Sequence, residues 1–149
     1  MHVLLKSWLA GAAGTSALNT CSYLDMAIRA RPASGTPRRA IADLAARAHV
    51  DLGDDERAGH RKDALGALLG YGTGAMAALC YGLLTSGRRP AWPVGVPMLA
   101  GLAMIGSTGP LTALGITDPR TWSAADWISD VVPHLAYGVA AYLAYASLG

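Results

Sequence analysis

The sequence predicts an all-α fold: a four-helix transmembrane bundle with a short amphipathic surface helix in the loop between the first and second spans. Three observations predict it. Of 149 residues, 52% are apolar and only 15% are charged, where soluble domains carry about 25% charged residues. The charges are also segregated, because windows 64–86, 90–117 and 131–149 contain no Asp, Glu, Lys or Arg. Within the first window a small residue recurs at every fourth position: Gly66, Gly70, Gly74, Ala78 and Gly82. Positions four apart drift only about 40° around a helix, so these five line one groove. A grooved spanning helix admits a neighbouring backbone, which is how helices associate in lipid.

The chain is read as one integral membrane domain, with spans at about 7–25, 64–86, 91–114 and 124–148. The first span is the most polar. Asn19, Thr20 and Ser22 precede Asp25 at its end, so it belongs inside a bundle; the alternative is a re-entrant or interfacial segment. The connection 29–63 is the one substantial hydrophilic part. RPASGTP interrupts the helix, and Thr36-Pro37 reads as an N-cap with proline at the first helical position. Ile41, Leu44, Ala45 and Ala48 then share a face, which predicts a short amphipathic helix on the membrane surface. The run Asp54-Asp55-Glu56 reads as a solvated linker, and Asp63 as the cap of the second span. Gly87-Arg88-Arg89-Pro90 is a tight turn. In the third span Pro93 and Pro97 fit near a helix start, while Pro110 ends or kinks it.

Counting Lys and Arg orients the spans. Connections 29–63 and 115–123 hold nine, whereas the N-terminal flank and turn 87–90 hold three: Lys6, Arg88 and Arg89. The excess predicts a cell-membrane, multi-pass protein with its large loop in the cytoplasm and both termini outside. Cys21 and Cys80 then lie near opposite faces and do not pair.

The informative polar stretch opens the last span. Asp126, Asp130 and His134 follow at i, i+4 and i+8 and share one helix face, continued by Gly138 and Tyr142. Connectivity brings Asp25, Arg29 and Arg120 to the same level, with Asn19 deeper. Asn19, Asp25, Asp126, Asp130 and His134 thus form the candidate intramembrane polar site. Ionisable groups at membrane depth are costly and pair or function there, and histidine exchanges protons near physiological pH. Asp130 and His134 are weak candidates as metal ligands, since their spacing matches no metal signature. Each residue also has a structural reading. Ser123-x-x-Asp126 fits a capping box with Trp122 and Trp127 as its staple. Asp25 and Asp130 fit ion pairs with Arg29 or Arg120, and His134 fits an interhelical hydrogen bond.

Other motifs fall away. Gly70-Tyr71-Gly72 lacks the Thr-Val of a potassium filter. No glycine loop, nucleophile elbow or calcium loop is present, and no cofactor is predicted. The basic loop lacks interleaved aromatics, so it suits anionic lipid rather than nucleic acid.

Two blocks, AGAAGTSALNTCSYLDMAIRARPAS at 10–34 and LGITDPRTWSAADWISDVVPHLAYG at 114–138, resemble a group of small actinobacterial integral membrane proteins of unknown function. The resemblance implies a membrane location and supplies no activity or ligand. The expected function is an accessory or scaffold protein, homo-oligomeric and with a possible membrane-protein partner, because the small-residue stripe exceeds what three neighbours need. One alternative is a proton- or cation-conducting channel or small transporter using Asp25, Asp130 and His134. Another is a lipid-acting or metal-dependent membrane enzyme, which the scarcity of catalytic motifs disfavours.

Overall fold

The computed structural model of the chain describes residues 3–148. It is all-α: α1 (Val3–Arg29), α2 (Thr36–Arg47), α3 (Asp55–Leu84), α4 (Trp92–Ala113) and α5 (Ala124–Ser147), with a 3₁₀ turn at Pro119–Thr121. There is no strand among the described residues. Two helices, α3 and α4, are long and apolar enough to cross a membrane. The first and last predicted spans do not reach that mark by composition. Polar Ser, Thr and Asn residues dilute α1, and α5 begins with Asp126, Asp130 and His134.

Each long helix packs chiefly on two others. α1 lies along α5 and α3, α4 lies along the same pair, and α2 rests on α3. Small residues set the closest approaches. A Cβ on Gly11 of α1 would sit 2.6 Å from the Cα of Ala75, and one on Gly138 of α5 would sit 2.5 Å from the Val96 carbonyl of α4. Backbone therefore meets backbone at both crossings, the close packing that small residues permit. The predicted stripe on α3 serves several neighbours at once. Gly66 faces Pro37 of α2, Gly74 faces Thr15 and the Tyr137 ring, and Gly82 faces Ser7 and Tyr145. Ala78 is fully buried, whereas Gly70 is exposed with open space before it.

Several local expectations need correction. The acidic run is not a linker: the Asp54 side chain accepts from the Arg57 amide and caps α3, with Asp55 and Glu56 in its first turn. Carboxylates there offset the positive end of the helix dipole. Asp63 is consequently inside α3 and pairs with Arg38 of α2 instead of capping a span. The apolar face of α2 buries Ala40 and Ile41, and its partner is α3. Pro110 does not end α4, which continues to Ala113. Gly87, at φ +72°, closes α3 by donating its amide to the Gly82 carbonyl at 2.8 Å. That left-handed position suits glycine.

The placement of aliphatic side chains is inverted relative to a water-soluble core. The buried set is Ala10, Ala77, Ala78, Ala103 and Ala141 with Leu99 and the rings of Tyr81, Tyr137, Tyr142 and Tyr145. Large aliphatic and aromatic side chains point outward from every long helix, among them Trp8, Leu68, Met76, Ile105, Val139 and Leu143.

Candidate functional site

The polar residues at the start of α5 divide into capping, tethering and buried groups. Ser123 and Asp126 form a reciprocal capping box: the Asp126 carboxylate accepts from the Ser123 amide at 2.9 Å, and the Asp126 amide donates to Ser123 Oγ at 3.2 Å. Trp122 and Trp127 meet edge to face with centroids 5.0 Å apart. Asp126 therefore completes a helix start, and its carboxylate is turned away from the bundle interior.

Asp25 ends α1 in an ion-pair cluster. Arg31 donates from Nε to Asp25 Oδ2 at 2.5 Å, and Arg29 Nη1 reaches Asp25 Oδ1 at 3.4 Å. The same Arg29 nitrogen donates to Ser129 Oγ at 2.9 Å, which ties the end of α1 to the first turns of α5. Arg120 does not join this cluster. It turns back on Asp118, with Nε at 3.0 Å, and its guanidinium holds the Asp118 carboxyl below the usual carboxylate range. Asn19 is half-buried on α1.

Asp130 and His134 are brought together, and Ser107 of α4 joins them. His134 is only 7% exposed. Its Nδ1 lies 2.7 Å from the Asp130 carbonyl oxygen and 3.7 Å from Asp130 Oδ2. A carbonyl only accepts, so the geometry assigns a hydrogen to Nδ1. Nε2 lies 3.2 Å from Ser107 Oγ, which is itself 3.1 Å from the Met104 carbonyl. Ser107 thus has two hydrogen-bond arrangements. With a neutral ring, its hydroxyl donates to Nε2. With a protonated ring, Nε2 donates to the Ser107 oxygen and the hydroxyl swings to Met104. Asp130 Oδ2 is buried with no hydrogen-bond partner among the described residues. It is the carboxyl oxygen that faces His134, in the low dielectric that strengthens pairing between them.

Ser107 was not singled out by sequence reasoning, because it lies in a span that reads only as apolar and proline-containing. The i, i+4 spacing found Asp130 and His134, but a partner on another helix leaves no periodic trace. No group of three His, Cys, Asp or Glu side chains among the described residues lies close enough to hold a metal ion. Asp126 is committed to Ser123, which leaves Asp130 and His134 as a pair.

Deeper in the bundle, Tyr137 is fully buried and donates to the Gly74 carbonyl at 2.5 Å. Its ring fills the space that Gly14 leaves open, where a Cβ would lie 2.6 Å away. On the outer surface between α3 and α4 lies an open apolar furrow of about 330 Å³, lined by Gly72, Thr73, Met76, Cys80, Leu102 and Gly106 among others.

No family model, curated protein or solved structure matches the chain. The resemblance of blocks 10–34 and 114–138 accordingly identifies no family and carries no residue role into the functional reading.

Proposed function

We propose that the chain is a four-span integral membrane protein of the cell membrane that works as an accessory or scaffold protein and assembles with itself. Its large connection 29–63 lies in the cytoplasm and both termini lie outside. The observation that carries this reading is the inverted placement of aliphatic side chains: alanine and glycine inside beside tyrosine rings, leucine, isoleucine and tryptophan outside. Lipid tails accept large apolar side chains, while tight contact between helices in lipid rests on small ones. The reading extends to α1 and α5. Leu135, Val139 and Leu143 line the outer side of α5. On α1 the exposed hydroxyls return to the helix itself, Ser16 to the Ala12 carbonyl at 2.9 Å and Thr20 to the Ser16 carbonyl at 2.8 Å. Such bonds satisfy donors where no water is available.

Self-assembly is supported by the furrow between α3 and α4, whose floor is glycine and whose rim is apolar. The test is the number of subunits in a lipid bilayer, read by photobleaching steps on singly labelled protein. A Cys21→Ala variant, which keeps Cys80 in the furrow, is then treated with a short bismaleimide. Two or more bleaching steps and a Cys80 cross-link are expected. A single step at all protein densities would overturn self-assembly.

A second reading is favoured by one observation, the unpartnered Asp130 oxygen beside His134. Here the protein moves a proton or cation, with His134 as the carrier. Liposomes holding a pH-sensitive dye decide between them. A flux present in the parent protein and lost in His134→Ala, with helical content unchanged, supports transport. No flux in either supports the scaffold.

A further inference from the structure

A second polar centre lies about 16 Å along α5 from His134, toward the C-terminal end of that helix. Ser7 Oγ, Tyr81 OH and Tyr145 OH are buried, on residues at most 1% exposed, and none has a hydrogen-bond partner among the described residues. They come from three different helices, α1, α3 and α5. Ser7 Oγ and Tyr145 OH flank one point, 3.2 and 3.0 Å from where a Cβ of Gly82 would be. Tyr81 OH lies beside the first turn of α4, 3.0 Å from the corresponding point on Gly95. The Tyr81 and Tyr145 rings meet edge to face at 5.3 Å. A buried hydroxyl left without a partner costs about 1–3 kcal/mol, so Ser7 Oγ and Tyr145 OH, which both border Gly82, call for a common acceptor.

The electrostatics of this end fix the sign of that acceptor. All ten carboxylates fall in segments 25–63 and 118–130, toward the other end. Here the charges are Lys6, Arg88 and Arg89. The Lys6 ammonium sits 4.2 Å from the centroid of the Tyr145 ring. The N-terminal ends of α1 and α4 gather here beside the C-terminal ends of α3 and α5, so the helix dipoles offset one another and the sign rests on the side-chain cations. Each hydroxyl has a hydrogen to donate, and the local charge is positive. Their near-complete burial limits the ligand to a small sphere.

We propose that Ser7 and Tyr145 form a binding site for a small monovalent anion of halide size, charge-compensated by Lys6. The site is independent of the scaffold or transport role of the bundle. The experiment uses the full chain in detergent, with sodium bromide exchanged for sodium gluconate at constant ionic strength. Bromide is expected to raise the thermal midpoint in a saturable way. Ser7→Ala and Tyr145→Phe should each weaken that response about tenfold, the loss of one charge-assisted hydrogen bond. Tyr142→Phe is the control, because the Tyr142 hydroxyl is already committed to the Pro90 carbonyl at 3.0 Å. In bromide-soaked crystals an anomalous peak is expected between Ser7 Oγ and Tyr145 OH. Equal midpoints in bromide and gluconate would overturn the proposal. So would density without anomalous signal, which is water, or a response unchanged in the Ser7→Ala/Tyr145→Phe double variant. A response to phosphate alone would also overturn it, by pointing to a lipid headgroup too large for this site.

Discussion

Single residues in this molecule matter through what they touch on another helix. Tyr137 is the clearest case, since its ring occupies the gap at Gly14 and its hydroxyl crosses to the Gly74 carbonyl at 2.5 Å. Tyr137→Phe keeps the ring and deletes the donor. It is expected to destabilise the protein by about 1 kcal/mol, the net worth of one such bond, read as a lowered midpoint in detergent denaturation. Gly14→Leu should cost more, about 1–3 kcal/mol or above, because it forces the ring aside. Ser107 belongs to the same class. Ser107→Ala leaves His134 Nε2 without its partner while the Nδ1 bond to the Asp130 carbonyl survives. The expected readout is an altered ¹⁵N shift of Nε2 with helical content intact; an unchanged shift would show that the 3.2 Å contact is not a hydrogen bond in solution. Sequence reasoning reached His134 and Asp130 because one helix repeats every 3.6 residues. It missed Ser107, Tyr137 and the Ser7 group because their partners lie on other helices, where no spacing rule relates the two positions.

Elements behave as their ends dictate, and the ends were unevenly legible. The capping box of α5 was readable because Ser123, Asp126 and the flanking tryptophans are local to one turn. The start of α3 was not. Asp54-Asp55-Glu56 looks like a solvated run, and only the capping bond to the Arg57 amide shows that it begins a helix of 30 residues. That early start carries α3 beyond its apolar window and gives α2 something to lie on, which is why Ala40 and Ile41 of α2 are buried while Leu44 on the same helix stays exposed. The contact is pinned by Arg38 Nη2 donating to Asp63 Oδ2 at 2.5 Å. The Arg38 guanidinium, through that hydrogen bond and its charge, holds the Asp63 carboxyl below the ordinary carboxylate range. A folded-state value lowered in this way stabilises the docked form above the ordinary value of about 3.9 and loses that contribution as pH falls through the folded value. Acidification below about pH 4 should therefore loosen α2 from α3, seen as faster amide exchange at Ala40 and Ile41. Asp63→Asn should show the fast exchange at neutral pH and no further acid step. Because both side chains are more than half exposed, at 54% and 56%, high salt should weaken the effect.

At the scale of the whole molecule, one pattern bears on which solvent surrounds the bundle. The all-α architecture and the small-residue groove were legible because they are properties of composition and period. Which faces point outward depends on four helices packing together, and only the assembled chain reveals that the largest apolar side chains lie outside. Met76 tests the consequence. It sits near the middle of the uncharged window 64–86 of α3 with 57% of its surface exposed, on the rim of the α3–α4 furrow. In water, Met76→Arg would be an ordinary surface change, worth within about 0.5 kcal/mol. In a bilayer the same substitution places a cation near the centre of the hydrocarbon, at a cost of about 2.5–3.5 kcal/mol for insertion. Lys is less informative, since its shorter head group has the same charge but a different reach to the interface. The measurement is insertion of α3 in the full chain, read by labelling of a cysteine at Ser86 on its far side. Met76→Arg should reduce the inserted fraction strongly, while Gly59→Arg, four residues before Asp63 in the protruding part of α3, should leave it unchanged. Equal insertion of both would mean that the outward face of α3 does not meet lipid, and the inverted core would then need a covering protein surface of the same apolar character.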